Sequence, residues 1–162
     1  TTNTLVAEEA RLSDFLNDLV QDLNSSSQLK GIQINLKSDE DEKLRKIYPS
    51  MSKMVFGNIL RNALNYSQGS QIDVILQKNK VLIADNGIGI PLPNDAKVQE
   101  LSGLQLQLEV KGHGIGLQLV QKLCKQLGWR VELFDRQYYL HTHHDLDLEN
   151  TTGLIVVVYL NQ

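Results

Sequence analysis

Asn58-Ile59-Leu60-Arg61-Asn62-Ala63-Leu64-Asn65-Tyr66-Ser67 is the stretch from which this chain is read. Asn58, Asn62 and Asn65 are spaced i, i+4, i+7. On a helix that spacing keeps all three within about 60° of one another. Phe56, Ile59, Leu60, Ala63 and Leu64 take the opposite side, which is the core face. The helix therefore has an apolar back and an amide front. Asparagine competes for backbone bonds and is a mediocre helix former, so three in line cost helix stability. An amide carbonyl is a hard, neutral oxygen ligand and suits a Mg²⁺ that keeps several waters. A solvated polar face is the other reading of the same stripe. Pro49 suits the first turn of this helix, and Gln68, Gly69 and Ser70 break it after Ser67.

Downstream, Ile72, Val74 and Leu76 alternate with polar residues, Lys78 to Lys80 turn the chain, and Val81 to Ala84 return. That pattern predicts a β-hairpin. Upstream, Leu12, Phe15, Leu16, Leu19, Val20 and Leu23 have helical spacing, with Ser13 expected as N-cap and Asn24 to Ser27 as the stop. Ile32, Ile34 and Leu36 predict a half-buried strand, and Lys37 to Lys46 a charged surface loop. A third helix is expected over about Ile115 to Leu127, stopped by Gly128, followed by strands at Trp129 to Phe134 and Leu154 to Leu160. The order is helix, strand, helix, hairpin, glycine-rich loop, helix, two strands. It lacks βαβ alternation and predicts an α+β fold. The expected form is a two-layer α/β sandwich, its mixed, mostly antiparallel sheet covered on one face by about three helices.

Two glycine loops flank the third helix and the hairpin. Asp85-Asn86-Gly87-Ile88-Gly89-Ile90-Pro91 follows directly on the apolar strand. Glycine lets the backbone approach a ligand closely, and an aspartate at a strand end can accept a hydrogen bond from an exocyclic amine such as that of adenine. The same Asp-Asn-Gly is also a common turn. Gly112-His113-Gly114-Ile115-Gly116-Leu117 leads into the third helix, with Lys111 beside it. Free amides at a helix start make an anion site. The spacing fits neither a dinucleotide fingerprint nor a P-loop. His113 reads as a neutral loop residue.

Composition bounds the possibilities. The chain has 162 residues, 41% apolar and 22% charged, which suits one globular domain and excludes a disordered or collagen-like chain. Sixteen Lys and Arg against 19 Asp and Glu give a net charge of -3 with no basic stripe, so no nucleic-acid partner is expected. The run Leu154 to Leu160 is too short to span a bilayer, so no direct membrane insertion is expected. The single cysteine, Cys124, reads as a core residue. His141, His143, His144 and Asp145 read as an exposed hairpin loop rather than a metal site.

Together, the asparagine helix, the Asp85 loop and the Gly112 loop resemble, in order and spacing, the catalytic ATP-binding domain of sensor histidine kinases. The resemblance covers about residues 12 to 162. It implies the Bergerat ATP-binding fold shared with gyrase B, MutL and heat-shock chaperones. Residues 1–11 would then be the end of an upstream dimerisation helix or a linker. By this resemblance Asn62 matches the Mg²⁺-coordinating asparagine, and Asn58 the polar residue one turn before it, the pair expected to be catalytic. Asn65 and Tyr66 sit where the family contacts phosphate and nucleotide. Asp85 matches the adenine-reading aspartate, with Gly87, Gly89 and Ile90 shaping its pocket. Lys111, Gly112, His113, Gly114, Ile115, Gly116 and Leu117 match the second glycine box, and residues 92–111 the lid over ATP.

The family commonly has a phenylalanine box in that lid, whereas residues 92–111 hold no aromatic residue, and Leu101, Leu104, Leu106 and Leu108 stand in its place. The final strand often carries hydroxyls near the nucleotide, where this chain has Val156, Val157 and Val158. The resemblance implies ATP and Mg²⁺ as ligands. It implies a separate phosphoacceptor domain and a response regulator as partners, and a cytoplasmic place in a membrane-anchored bacterial kinase. No histidine here has the acceptor setting, so the chain is expected to be the catalytic half of a kinase. An ATP-hydrolysing relative of the gyrase and chaperone type is the competing reading, although those enzymes place a glutamate where Asn58 stands. A degenerate kinase acting as an interaction module is another.

Overall fold

The computed structural model describes residues 6–38, 43–88, 99–100 and 114–160. Among them, six strands form one sheet in the order β2-β4-β5-β8-β7-β6. These are β2 (Gln33–Ser38), β4 (Gln71–Gln77), β5 (Lys80–Asp85), β6 (Gln99–Glu100), β7 (Arg130–Asp135) and β8 (Leu154–Tyr159). The β2-β4 pair is parallel and the others are antiparallel. The α+β expectation of a mixed, mostly antiparallel sheet holds.

Period-2 alternation sorts the side chains. Ile72, Val74 and Leu76 of β4, Val81 and Ile83 of β5, Val131 and Leu133 of β7, and Val156 and Val158 of β8 join one core. Three helices complete it: α1 (Leu12–Asp22), α3 (Pro49–Tyr66) and α4 (Gly114–Leu127). Leu16, Val55, Phe56, Leu60 and Val120 are fully buried there. Phe56 meets Trp129 with ring centroids 5.6 Å apart, which fastens α3 to the start of β7. Gly128 ends α4 at φ +77°, with Trp129 N–H returning to the Cys124 carbonyl and Gly128 N–H to the Lys125 carbonyl. That is the Schellman arrangement, and it accounts for the expected glycine stop.

Several local expectations change. Residues 8–10, expected within a helix tail or linker, form strand β1 (Glu8–Ala10), paired antiparallel with β3 (Arg45–Ile47). The expected loop from Lys37 to Lys46 is shorter, since Lys37 and Ser38 belong to β2 and Arg45 and Lys46 to β3. Asn24 to Ser27 do not simply stop α1; Asn24–Leu29 form a short helix, α2, closed by Gly31 at φ +68°. Arg11, not Ser13, is the N-cap of α1.

The reverse face of the sheet is also apolar. Ile75, Leu82, Ala84, Phe134, Ile155 and Val157 lie there with Tyr139. A short helix, α5 (Arg136–Thr142), covers them together with Leu146 and Leu148. Asp135 caps α5 by accepting from Tyr138 N–H at 3.0 Å. The segment expected as an exposed polar hairpin thus begins as a helix and packs on the sheet. Lys80 Nζ meets Asp145 Oδ2 at 2.8 Å and pins the far end of this cover. Among the described residues no group of three or more potential metal ligands is present.

Candidate functional site

The amide front of α3 forms as expected. Val55, Phe56, Ile59, Leu60 and Leu64 are buried, Asn58 and Asn62 are partly exposed, and Asn65 is exposed. The three amides are not equivalent. Asn58 Nδ2 donates to the Met54 carbonyl at 2.6 Å, one turn back, so its amide is already engaged with its own helix. Asn62 Nδ2 is shielded from solvent and has no hydrogen-bond partner among the described residues. An unpartnered buried polar atom costs roughly 1–3 kcal/mol, which marks Asn62 as a residue kept for something other than stability. Carbonyl and amino ends of an asparagine exchange by a simple flip, so this side chain can present an oxygen to a ligand. It therefore fits the demand of a Mg²⁺ site for a neutral oxygen donor. Tyr66 is the last helical residue of α3.

Asp85 ends β5 and is 6% exposed. Its Oδ1 accepts Gly87 N–H at 3.0 Å and Leu154 N–H at 3.3 Å. Both bonds land on one oxygen, which leaves the orientation of the carboxylate fixed without using Oδ2. Burial pushes the Asp85 carboxyl above the usual carboxylate value, against the pull of those two N–H groups and of the Arg136 guanidinium. A buried, oriented acceptor of this kind suits an amino group on a flat ring.

The end of α3 and the Asp85 loop are held together. Ile88 N–H donates to the Ser67 carbonyl at 2.9 Å. Gly87 fits only as glycine, since a Cβ there would lie 1.8 Å from that same carbonyl oxygen. Asn86 Oδ1 accepts Ser70 N–H and Gln71 N–H, both at 2.9 Å. Gln68 takes φ +58° between them, a conformation uncommon for a non-glycine residue. The break after α3 is thus a knot that sets the amide stripe beside the Asp85 loop.

Gly114, Ile115, Gly116 and Leu117 form the first turn of α4, and α4 packs along α3. The second glycine box therefore starts a helix beside the asparagine helix. Gly89, Ile90, Lys111, Gly112 and His113 lie outside the described residues, as does residues 92–111 apart from β6.

Three participants were not singled out from sequence. Thr152 Oγ1 donates to the Gly87 carbonyl at 2.8 Å. Gly153, at φ +141°, lets its chain pass so close to Asp85 that a Cβ would sit 2.1 Å from the Asp85 carbonyl oxygen. Arg136 Nη1 donates to that carbonyl at 2.8 Å. A hydroxyl thus stands just before β8, tied to the first glycine loop. Thr152-Gly153 ahead of the apolar run was the available signal.

A family model described as histidine kinase-, DNA gyrase B- and HSP90-like ATPase matches residues 49–162. The chain belongs to this ATPase family. Sensor protein QseC of Escherichia coli (strain K12) is 31% identical over 125 residues, covering 76% of this chain and 28% of QseC. Sporulation kinase E of Bacillus subtilis (strain 168) is 29% identical over 130 residues, covering 75% of this chain and 17% of that protein. The chain thus spans little more than a quarter of the length of these QseC relatives. Among solved structures, the cytoplasmic segment of histidine kinase QseC superimposes with a TM-score of 0.65 at 24% identity, covering 96% of this chain and 78% of that one. Full-length ShkA in complex with AMPPNP gives 0.70 at 16% identity, covering 94% of this chain and 30% of that one. In the ATPase family, then, this chain is an ATP-binding domain whose named relatives include sensor kinases. No helix among its described residues is long and apolar enough to cross a membrane.

Proposed function

We propose that this domain binds Mg·ATP and presents the γ-phosphate to a histidine on a separate dimerisation domain of the same kinase, from which a response regulator draws the phosphoryl group. The observation that carries this reading is the unpartnered, shielded amide of Asn62 on the helix that the knot at Ser67 fastens beside Asp85. Asn62 would hold the Mg²⁺, and the metal's charge would offset that of the phosphates. Asp85 accepts the adenine amino group, and Gly87 keeps the backbone low enough for the ring to approach. The amides of the Gly112–Leu117 box take the phosphate oxygens. Transfer of this kind depends on positioning and charge neutralisation, and the protein supplies no covalent step.

Asn58 separates this reading from steady ATP hydrolysis. Its side chain is an amide already bonded to the Met54 carbonyl, and an amide does not accept a water proton at neutral pH. The test mixes the purified domain, labelled ATP, Mg²⁺ and the cognate dimerisation domain. Acid-labile, base-stable label on the dimerisation domain is expected, with little phosphate release from the catalytic chain alone. Sustained phosphate release by the chain alone, with no labelled histidine, would refute the proposal. An unchanged nucleotide affinity in Asp85→Asn would remove the adenine assignment.

A further inference from the structure

Arg136 opens α5 and is 4% exposed. A charge that deep is costly unless it is well bonded and paired. Its bonds converge on one joint. Nη1 donates to the Asp85 carbonyl at 2.8 Å, and Nη2 donates to the Glu149 carbonyl at 3.2 Å. The Arg136 backbone N–H donates to the Gly153 carbonyl at 3.0 Å. One residue therefore ties the end of β5, the approach to β8 and the segment between α5 and β8. The joint is tight, because Gly153 lies against the Asp85 carbonyl and the next residue, Leu154, donates to Asp85 Oδ1.

We propose that Arg136 is a positioning residue for base recognition, which bridges the Asp85 and Glu149 carbonyls and thereby holds the Asp85 carboxylate in the orientation that receives the adenine amino group. The inference rests on the reading of Asp85 given above. Arginine suits the task because its planar fork carries several donors at fixed angles and serves two carbonyls at once. Lysine offers one compact ammonium and cannot hold both directions equally. Burial works against the guanidinium's charge, while the carboxylates of Asp73 on β4, Asp85 on β5 and Glu149 before β8 attract it. Asp135 of β7 is committed to capping α5. Segment 143–153 thereby becomes a wall of the nucleotide pocket, although it packs on the opposite face of the sheet from the asparagine helix.

The test compares wild type, Arg136→Lys, Arg136→Met and Asp85→Asn by calorimetric titration with Mg·ADP and Mg·GDP, alongside thermal melts. Arg136→Lys keeps the buried charge. It is expected to fold and to bind Mg·ADP about tenfold more weakly, as for loss of one charge-assisted contact. Its preference for ADP over GDP should fall by a similar factor, and Arg136→Met should lose more. A defect of folding alone lowers the binding stoichiometry and leaves the affinity and base preference of the folded fraction intact. Arg136→Lys binding within twofold of wild type with unchanged preference would overturn the inference, and this variant decides the matter if Arg136→Met does not fold. Wild-type affinity in Asp85→Asn overturns the reading of Asp85 and the inference with it. Weak binding by Asp85→Asn beside wild-type behaviour in Arg136→Lys overturns the inference alone.

Discussion

Gly87 and Ser67 share a contact that no side chain can enter. A Cβ on Gly87 would lie 1.8 Å from the Ser67 carbonyl oxygen, the same oxygen that accepts Ile88 N–H. The end of the asparagine helix and the first glycine loop are one unit.

Gly87→Ala must therefore push the loop away from α3. Overpacking against backbone costs about 1–3 kcal/mol. A thermal melt should show a drop of several degrees. Calorimetry should show nucleotide affinity lowered by more than tenfold, because Asp85 and Asn62 move apart.

Asn62→Ala separates function from stability. Among the described residues nothing bonds to Asn62 Nδ2, and alanine is the better helix former. Urea unfolding should give a stability equal to wild type or higher by about 0.5–1 kcal/mol. Phosphotransfer with Mg·ATP should be lost. A stability loss with retained transfer would mean that Asn62 is a structural residue.

Asp85→Asn has a pH signature. Burial raises the Asp85 carboxyl in the fold, so the fold favours its protonated form. The stability it contributes is fully present below the unfolded-chain value and is lost as pH rises through the raised folded value. Ionising the buried carboxyl therefore costs wild type stability as pH rises, and asparagine avoids that cost. Denaturant melts should show Asp85→Asn at least as stable as wild type at pH 7, with any advantage shrinking as pH falls. Nucleotide binding should be lost throughout.

The pair Lys80–Asp145 shows the opposite sign. Burial alone would raise the Asp145 carboxyl, but the bonded Lys80 ammonium outweighs it and holds the group below the usual value. That stability is present above the unfolded-chain value and lost as pH falls through the depressed folded value. Both side chains are partly exposed, so solvent screening limits the pair to about 0.5–1 kcal/mol. Lys80→Met should cost that much at pH 7 in a denaturant melt, and the difference from wild type should vanish in acid. Nucleotide affinity should not change.

The fold was legible where periodicity is strong. The stripes of α1, α3 and α4, the alternation of β4 and the apolar run of β5 each feed the main core, and each element forms. The misses are short or polar. Asn24–Leu29 has too few apolar positions to show a period, and β1 has three residues. The cover on the reverse face was readable in principle. Leu154 to Tyr159 is apolar on both alternating faces, and a strand with two apolar faces needs cover on both. Asp135 ahead of Arg136-Gln137-Tyr138 was a cap signal for α5. Within the proposed site, Asn62 and Asp85 could be singled out from residue type and spacing. Arg136 and Gly153 act on Asp85 through its backbone carbonyl, and a sequence carries no mark of which carbonyl a distant residue will meet.

The central claim is that α3 and the two glycine loops enclose one nucleotide. A crystal structure of the chain with Mg²⁺ and a non-hydrolysable ATP analogue tests it most directly. The account predicts the adenine amino group within hydrogen-bond reach of the Asp85 carboxylate, the Asn62 carbonyl on the metal, and the phosphates at the start of α4. An analogue seated elsewhere, with Asp85 and Asn62 both untouched, would contradict it.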